Sequence, residues 1–149
     1  MSDKDYIASL IQEASNVGQL QNFEAQAARK LLDFDGEIYP ADGCANTLSV
    51  LLQNVGIAVP DIYTALELGE TLKNDRNWQQ IPVGKQQPGD IGSTCGLVPH
   101  HGFDHVYLVL RILNTDEMVI ADNQASHPHF RYASGQGGKT PTKFFLRAT

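Results

Sequence analysis

The apolar residues of this chain change their period once, near Trp78, and do not change back. Before that point they recur at the spacing that puts side chains on one face of a helix. Tyr6, Ile7, Leu10, Ile11 and Ala14 form one stripe, interrupted at Gly18, and Leu20, Phe23, Ala27 and Leu31 form a second. A third stripe runs through Cys44, Leu48, Leu51, Leu52 and Val55; Gly56 supplies its C-terminal stop, and Pro60 follows where a helix cannot continue. Asp61 is placed to cap a further helix carrying Ile62, Ala65, Leu66 and Leu72. Beyond Trp78 come short runs rich in β-branched and aromatic residues, at 78–83, 91–94, 105–113, 118–122, 130–132 and 142–147. Turn residues such as Pro88-Gly89-Asp90 and Asn114-Thr115-Asp116 separate them. Helices first and strands afterwards, without alternation, predict an α+β fold with N-terminal helices packed on a central antiparallel sheet. The hairpin from Val106–Ile112 into Met118–Ala121 is apolar at almost every position, so it belongs mid-sheet, covered on both faces.

No internal repeat or low-complexity linker divides the 149 residues, which suit a single domain over 1–149. With 42% hydrophobic and 19% charged residues, the composition is that of an ordinary globular protein. A formal net charge of -6 and the lack of any Lys or Arg run argue against a nucleic-acid partner. No stretch is long enough to span a bilayer. The start, Met1-Ser2-Asp3-Lys4-Asp5, lacks the basic beginning and apolar core of a signal peptide, so synthesis as a cytoplasmic product is expected. The two cysteines, Cys44 and Cys95, are too few for a disulfide scaffold, and reduced thiols are the expectation.

Cys44 stands in the first turn of the third helix, after Tyr39-Pro40-Ala41-Asp42-Gly43. Unpaired N–H groups and the positive end of the helix dipole there favour thiolate over thiol. Taken alone, a buried cysteine is more often a small hydrophobe. His105 changes the balance, because it enters the central strand directly after the polar loop His100-His101-Gly102-Phe103-Asp104. An imidazole at the mouth of that strand can take the Cys44 proton or form a thiolate–imidazolium pair; its plainer role would be to cap the strand through its backbone. Asp122 and Asn123 end the returning strand, which brings them back beside His105, where either can fix the ring's tautomer and angle. Both residue types also suit a simple turn. Cys95, His100, His101 and His105 offer zinc-ligand chemistry, but their spacing matches no familiar structural site, so no metal and no cofactor are expected. His127 and His129 flank Pro128 in a turn; they can line the cleft, but such residues are more often solvated loop histidines.

This ordered set resembles the NlpC-type cell-wall peptidases, in the wider papain-like group that also holds the CHAP amidases and the small amidase effectors of type VI secretion. The resemblance rests on Cys44 at a helix start, Val55-Gly56-Ile57 closing that helix, Pro60, the turn Pro88-Gly89-Asp90-Ile91 before a strand, His105-Val106-Tyr107-Leu108-Val109, and a polar residue, Asp122 or Asn123, ending the next strand. Two departures stand out. The family commonly has Asp-Cys-Ser-Gly-Phe at the nucleophile, where this chain has Gly43-Cys44-Ala45-Asn46-Thr47. Many members also use a second His as third residue; an acid or amide there is closer to the CHAP and papain pattern. The resemblance implies a papain-like fold and a cysteine amidase or endopeptidase acting on peptidoglycan stem peptides. Cys44 would attack the carbonyl and His105 would act as base and then acid, with Asp122 (or, second, Asn123) orienting it. The Cys44 N–H would serve an oxyanion hole, with Tyr39 and Asp42 beside the substrate. It further implies delivery to the periplasm or cell wall by a non-Sec route, as an antibacterial effector or lysin, and a neutralising immunity protein as partner. Two rivals are a protein deamidase or transferase toxin on the same fold, and a binding module that keeps the fold with an idle cysteine.

Overall fold

The computed structural model describes residues 2–35, 43–96 and 104–149. A 3-10 turn, Asp3–Tyr6, leads into helices α1 (Ile7–Ser15), α2 (Val17–Asp35), α3 (Gly43–Val55) and α4 (Ala65–Glu70), the last continuing into a π-turn over Thr71–Asp75. Six strands follow: β1 (Gln79–Ile81), β2 (Ile91–Ser93), β3 (Val106–Ile112), β4 (Glu117–Ala121), β5 (His129–Tyr132) and β6 (Phe144–Arg147). They form one antiparallel sheet in the order β1-β6-β2-β3-β4-β5. The chain is therefore α+β, helices before strands, with the β3–β4 hairpin inside the sheet.

Helix ends follow local chemistry, and two differ from expectation. The break between the first two helices falls at Asn16, not Gly18: the Asn16 side chain accepts the Gln19 N–H at 3.0 Å and caps α2, leaving Gly18 in its first turn. Likewise Thr64, not Asp61, caps α4, its hydroxyl accepting the Glu67 N–H. Asp61 is drawn instead into an ion pair with Lys30 at 2.7 Å and a hydrogen bond from Gln53. Helix α3 does end at Gly56, whose φ of 108° suits glycine. The Gly56 and Ile57 N–H groups return to the Gln53 and Leu52 carbonyls, satisfying the helix's last acceptors.

Alternation along β3 divides the core in two. Val106 and Leu108 face α3 and its Leu48, Leu51 and Leu52, with Ile91 and Leu146 from neighbouring strands. Tyr107 and Val109 point the other way, to Met118, Ile120 and Phe145. Each such side chain, fully buried, contributes about 2 kcal/mol. Buried Asn46 ties α3 to α2 by donating to the Ala27 carbonyl. The Asp3 carboxylate ties the first turn to the start of the sheet, accepting from Arg76 Nε at 2.7 Å and Trp78 Nε1 at 2.9 Å. Among the described residues, no helix is long and apolar enough to cross a membrane.

Because neighbouring strands run in opposite directions, one end of the sheet gathers residues from distant parts of the sequence. In spatial order it carries Lys143 before β6, Cys95 after β2, His105 before β3, Asp122 after β4, and His129 opening β5. Helix α3 begins at the same end.

Candidate active site

Cys44 is the second residue of α3 and is 1% exposed. Its sulfur accepts hydrogen bonds from the N–H groups of Val106 and Ala45, which sets the start of α3 against the mouth of β3. The His105 ring is not among its hydrogen-bond partners. Burial pushes the thiol up to about 12; the two N–H bonds work against that, while the charges at Asp122 and Cys95 add to it. The expectation of a preformed thiolate is therefore overturned. The helix terminus does favour the anion, but desolvation is the larger effect. At rest Cys44 is a neutral thiol.

His105 is held at both backbone and ring. Its N–H donates to the Thr94 hydroxyl at 2.8 Å and its carbonyl accepts the Thr94 N–H at 3.0 Å, continuing the ladder one residue past β3. Its Nε2 lies 2.7 Å from Asp122 Oδ2, and the ring stacks on Tyr107 with centroids 6.2 Å apart. Asp122 is fully buried, and its other oxygen takes His129 Nε2 at 2.7 Å and the Gln124 N–H at 2.9 Å. Burial alone would raise this carboxyl; the two imidazole bonds outweigh it and hold the group well below the usual carboxylate range. An ionised Asp122 accepts the Nε2–H of His105; in the neutral form of that ring Nδ1 is then the acceptor nitrogen.

Of the two residues ending β4, Asp122 is the one that bonds the imidazole. Asn123 makes no bond to it, and its buried Oδ1 has no partner. Tyr39 and Asp42 lie outside the described residues, as do His100 and His101. His127 is exposed, its Nδ1 on the Pro128 carbonyl at 2.9 Å, as a loop histidine would be. His129 is not a loop histidine: it pairs with Ile120 across the β4–β5 ladder, and that places it on Asp122. Glu24 of α2 is the other residue the sequence did not disclose. Burial and the Asp122 charge raise its carboxyl to about 7, against the pull of His127 and His129, and its Oε1 is buried without a partner.

Cys95 is a free, buried thiol beside this group; burial raises it, while bonding to Ser93 and the Lys143 charge lower it. Among the described residues, no group of three or more His, Cys, Asp or Glu is arranged to hold a metal ion. The ring of His105, anchored through Nε2 and set beside a thiol at a helix start, is an arrangement suited to nucleophilic catalysis. In comparisons with known proteins, the chain matches no family model, no curated protein and no solved structure.

Proposed function

We propose that this chain is a cysteine amidase or endopeptidase with a papain-like, NlpC-type fold, cutting an amide bond in peptidoglycan stem peptides. The observation that carries the reading is the 2.7 Å bond from His105 to a buried, ionised Asp122, at the point where the Cys44 thiol meets the first amide of β3. A carboxylate buried at this cost, with an imidazole as its partner, is the means by which a base is held in one tautomer. On this reading Cys44 gives its proton to His105 Nδ1 as its sulfur attacks the substrate carbonyl. The proton then passes to the leaving amine, and water hydrolyses the thioester with His105 again as base. Asp122 stabilises the imidazolium, and His129 holds the far side of Asp122. Because the thiol is neutral at rest, attack and proton transfer are coupled. The amides at the start of α3 are the natural donors to the oxyanion.

The substrate class comes from the resemblance set out above, and a digest tests it. Purified stem peptides and cross-linked muropeptides are incubated with the wild-type chain and with Cys44→Ala, and the products are weighed by mass spectrometry. Hydrolysed amide bonds with the wild type alone support the reading. Intact muropeptides, together with a one-dalton gain on a protein glutamine, would replace it with a deamidase.

A further inference from the structure

The row of side chains along the sheet end does not stop at His105. Beyond it, past Cys95, a cavity of about 500 Å³ opens between α4 and the starts of β6 and the π-turn. Its walls include Lys73, Asn74, Gln80, Cys95, Lys143 and Glu70, a net positive lining on a chain of net charge -6. Lys143 lines it, and its Nζ lies close over Gly96: a Cβ built there would stand 2.9 Å from that atom. Among the described residues no carboxylate pairs with Lys143. Lys73 donates to Gln80 Oε1 at 3.0 Å and keeps further N–H groups for a ligand. The cavity is joined to the proposed reacting group through Cys95, which lines it. Thr94, bonded to His105 through both backbone and side chain, immediately precedes Cys95, and the Cys95 thiol is felt at Cys44.

We infer that this cavity is a substrate subsite that binds a carboxylate carried by the peptide whose amide Cys44 attacks, with Lys143 as its principal contact and Lys73 supporting it. The inference rests on the amidase reading above and deepens it. Lys143 stands two strands from His105, a separation of about 10 Å at ordinary strand spacing. An extended peptide covers that in about three residues. The substrate is therefore an acidic peptide with its carboxylate about three residues from the scissile bond. An ammonium is a point charge that suits a single carboxylate, and the neighbouring Asn74 amide adds a neutral donor.

The experiment uses an acidic stem peptide and the same peptide with that one carboxylate converted to its carboxamide. For each, kcat/KM is measured with the wild type and with Lys143→Gln, and equilibrium binding is measured by calorimetry on Cys44→Ala and on Cys44→Ala with Lys143→Gln. The wild type should prefer the carboxylate form at least tenfold, through KM, and Lys143→Gln should erase that preference. Equal kcat/KM for the two peptides with the wild type, or a preference that survives Lys143→Gln, would overturn the subsite. If neither peptide is cleaved, the amidase reading falls by itself. The subsite then stands or falls on whether the carboxylate form binds more tightly to Cys44→Ala and loses that advantage with Lys143→Gln.

Discussion

Asp122 serves two imidazoles with one carboxylate, and its removal should be felt in turnover before anything else. Asp122→Ala should lower kcat by about 100-fold or more, as expected when the carboxylate that holds a catalytic imidazole in one tautomer is lost. Asn123→Ala should change it only a few-fold, because its side chain makes no hydrogen bond to either ring; steady-state kinetics on the two variants decide the matter. Cys44→Ala should abolish hydrolysis with little change in thermal midpoint, since alanine also suits an apolar helix face. The neutral thiol carries a sharper expectation. At pH 8 Cys44 should react with iodoacetamide more slowly than a free thiol, with the rate still climbing at higher pH, because the group is pushed up to about 12. A fast reaction at pH 8 would contradict that. Cys44, His105 and Asp122 were legible in the sequence because each sits at the end of an element whose boundaries its neighbours announce. His129 was not, because its partner is fixed by strand register across β4 and β5, and no local pattern encodes register. The upward push on the thiol was hidden for a related reason: a helix terminus can be read from sequence, but the depth at which it is buried cannot.

At the scale of elements, the antiparallel arrangement and the central hairpin followed from the texture of the chain, whereas the exact helix ends at Asn16 and Thr64 turned on which side chain found its amide first. Packing between elements is very close where β2 passes β3. A Cβ on Gly92 would lie 2.4 Å from the Tyr107 ring, whose buried hydroxyl shares a 2.6 Å hydrogen bond with Thr142. That ring cannot retreat without breaking its bond and disturbing Phe145, against which it packs edge-on. Gly92→Ala should therefore cost about 1–3 kcal/mol of stability, read from the midpoint of urea denaturation with an unchanged slope. A stability equal to wild type would mean that β2 can shift along the sheet.

Over the whole molecule, the shifted groups set how stability depends on pH. Hydrogen bonds hold Asp3 and Asp61 low, through Arg76 and Lys30 respectively, and the imidazoles hold Asp122 low against its burial. What these three contribute is present above their unfolded values and is lost as the solution is acidified. Glu24 acts in the opposite sense: its folded value of about 7 exceeds the ordinary 4.5, so stability declines as pH rises between the two. Burial raises Cys44 and Tyr107 to about 12, from 9.0 and 10.0, so the unfolded chain loses these protons first and stability falls again above pH 9. The thermal midpoint should therefore peak at about pH 5. Glu24→Gln should flatten the decline from there to pH 7, and a midpoint that rises over that interval in the wild type would refute the assignment. The order of strands has a consequence for how such a molecule is made. The last strand in the sequence, β6, lies between β1 and β2, so the sheet cannot close until Phe144–Arg147 has been synthesised. A chain paused on the ribosome before that point already contains its thiol, its imidazole and its carboxylate, yet lacks the strand that would seat them. The cell making it thus meets Cys44, His105 and Asp122 on a complete sheet only after Phe144–Arg147 has been made.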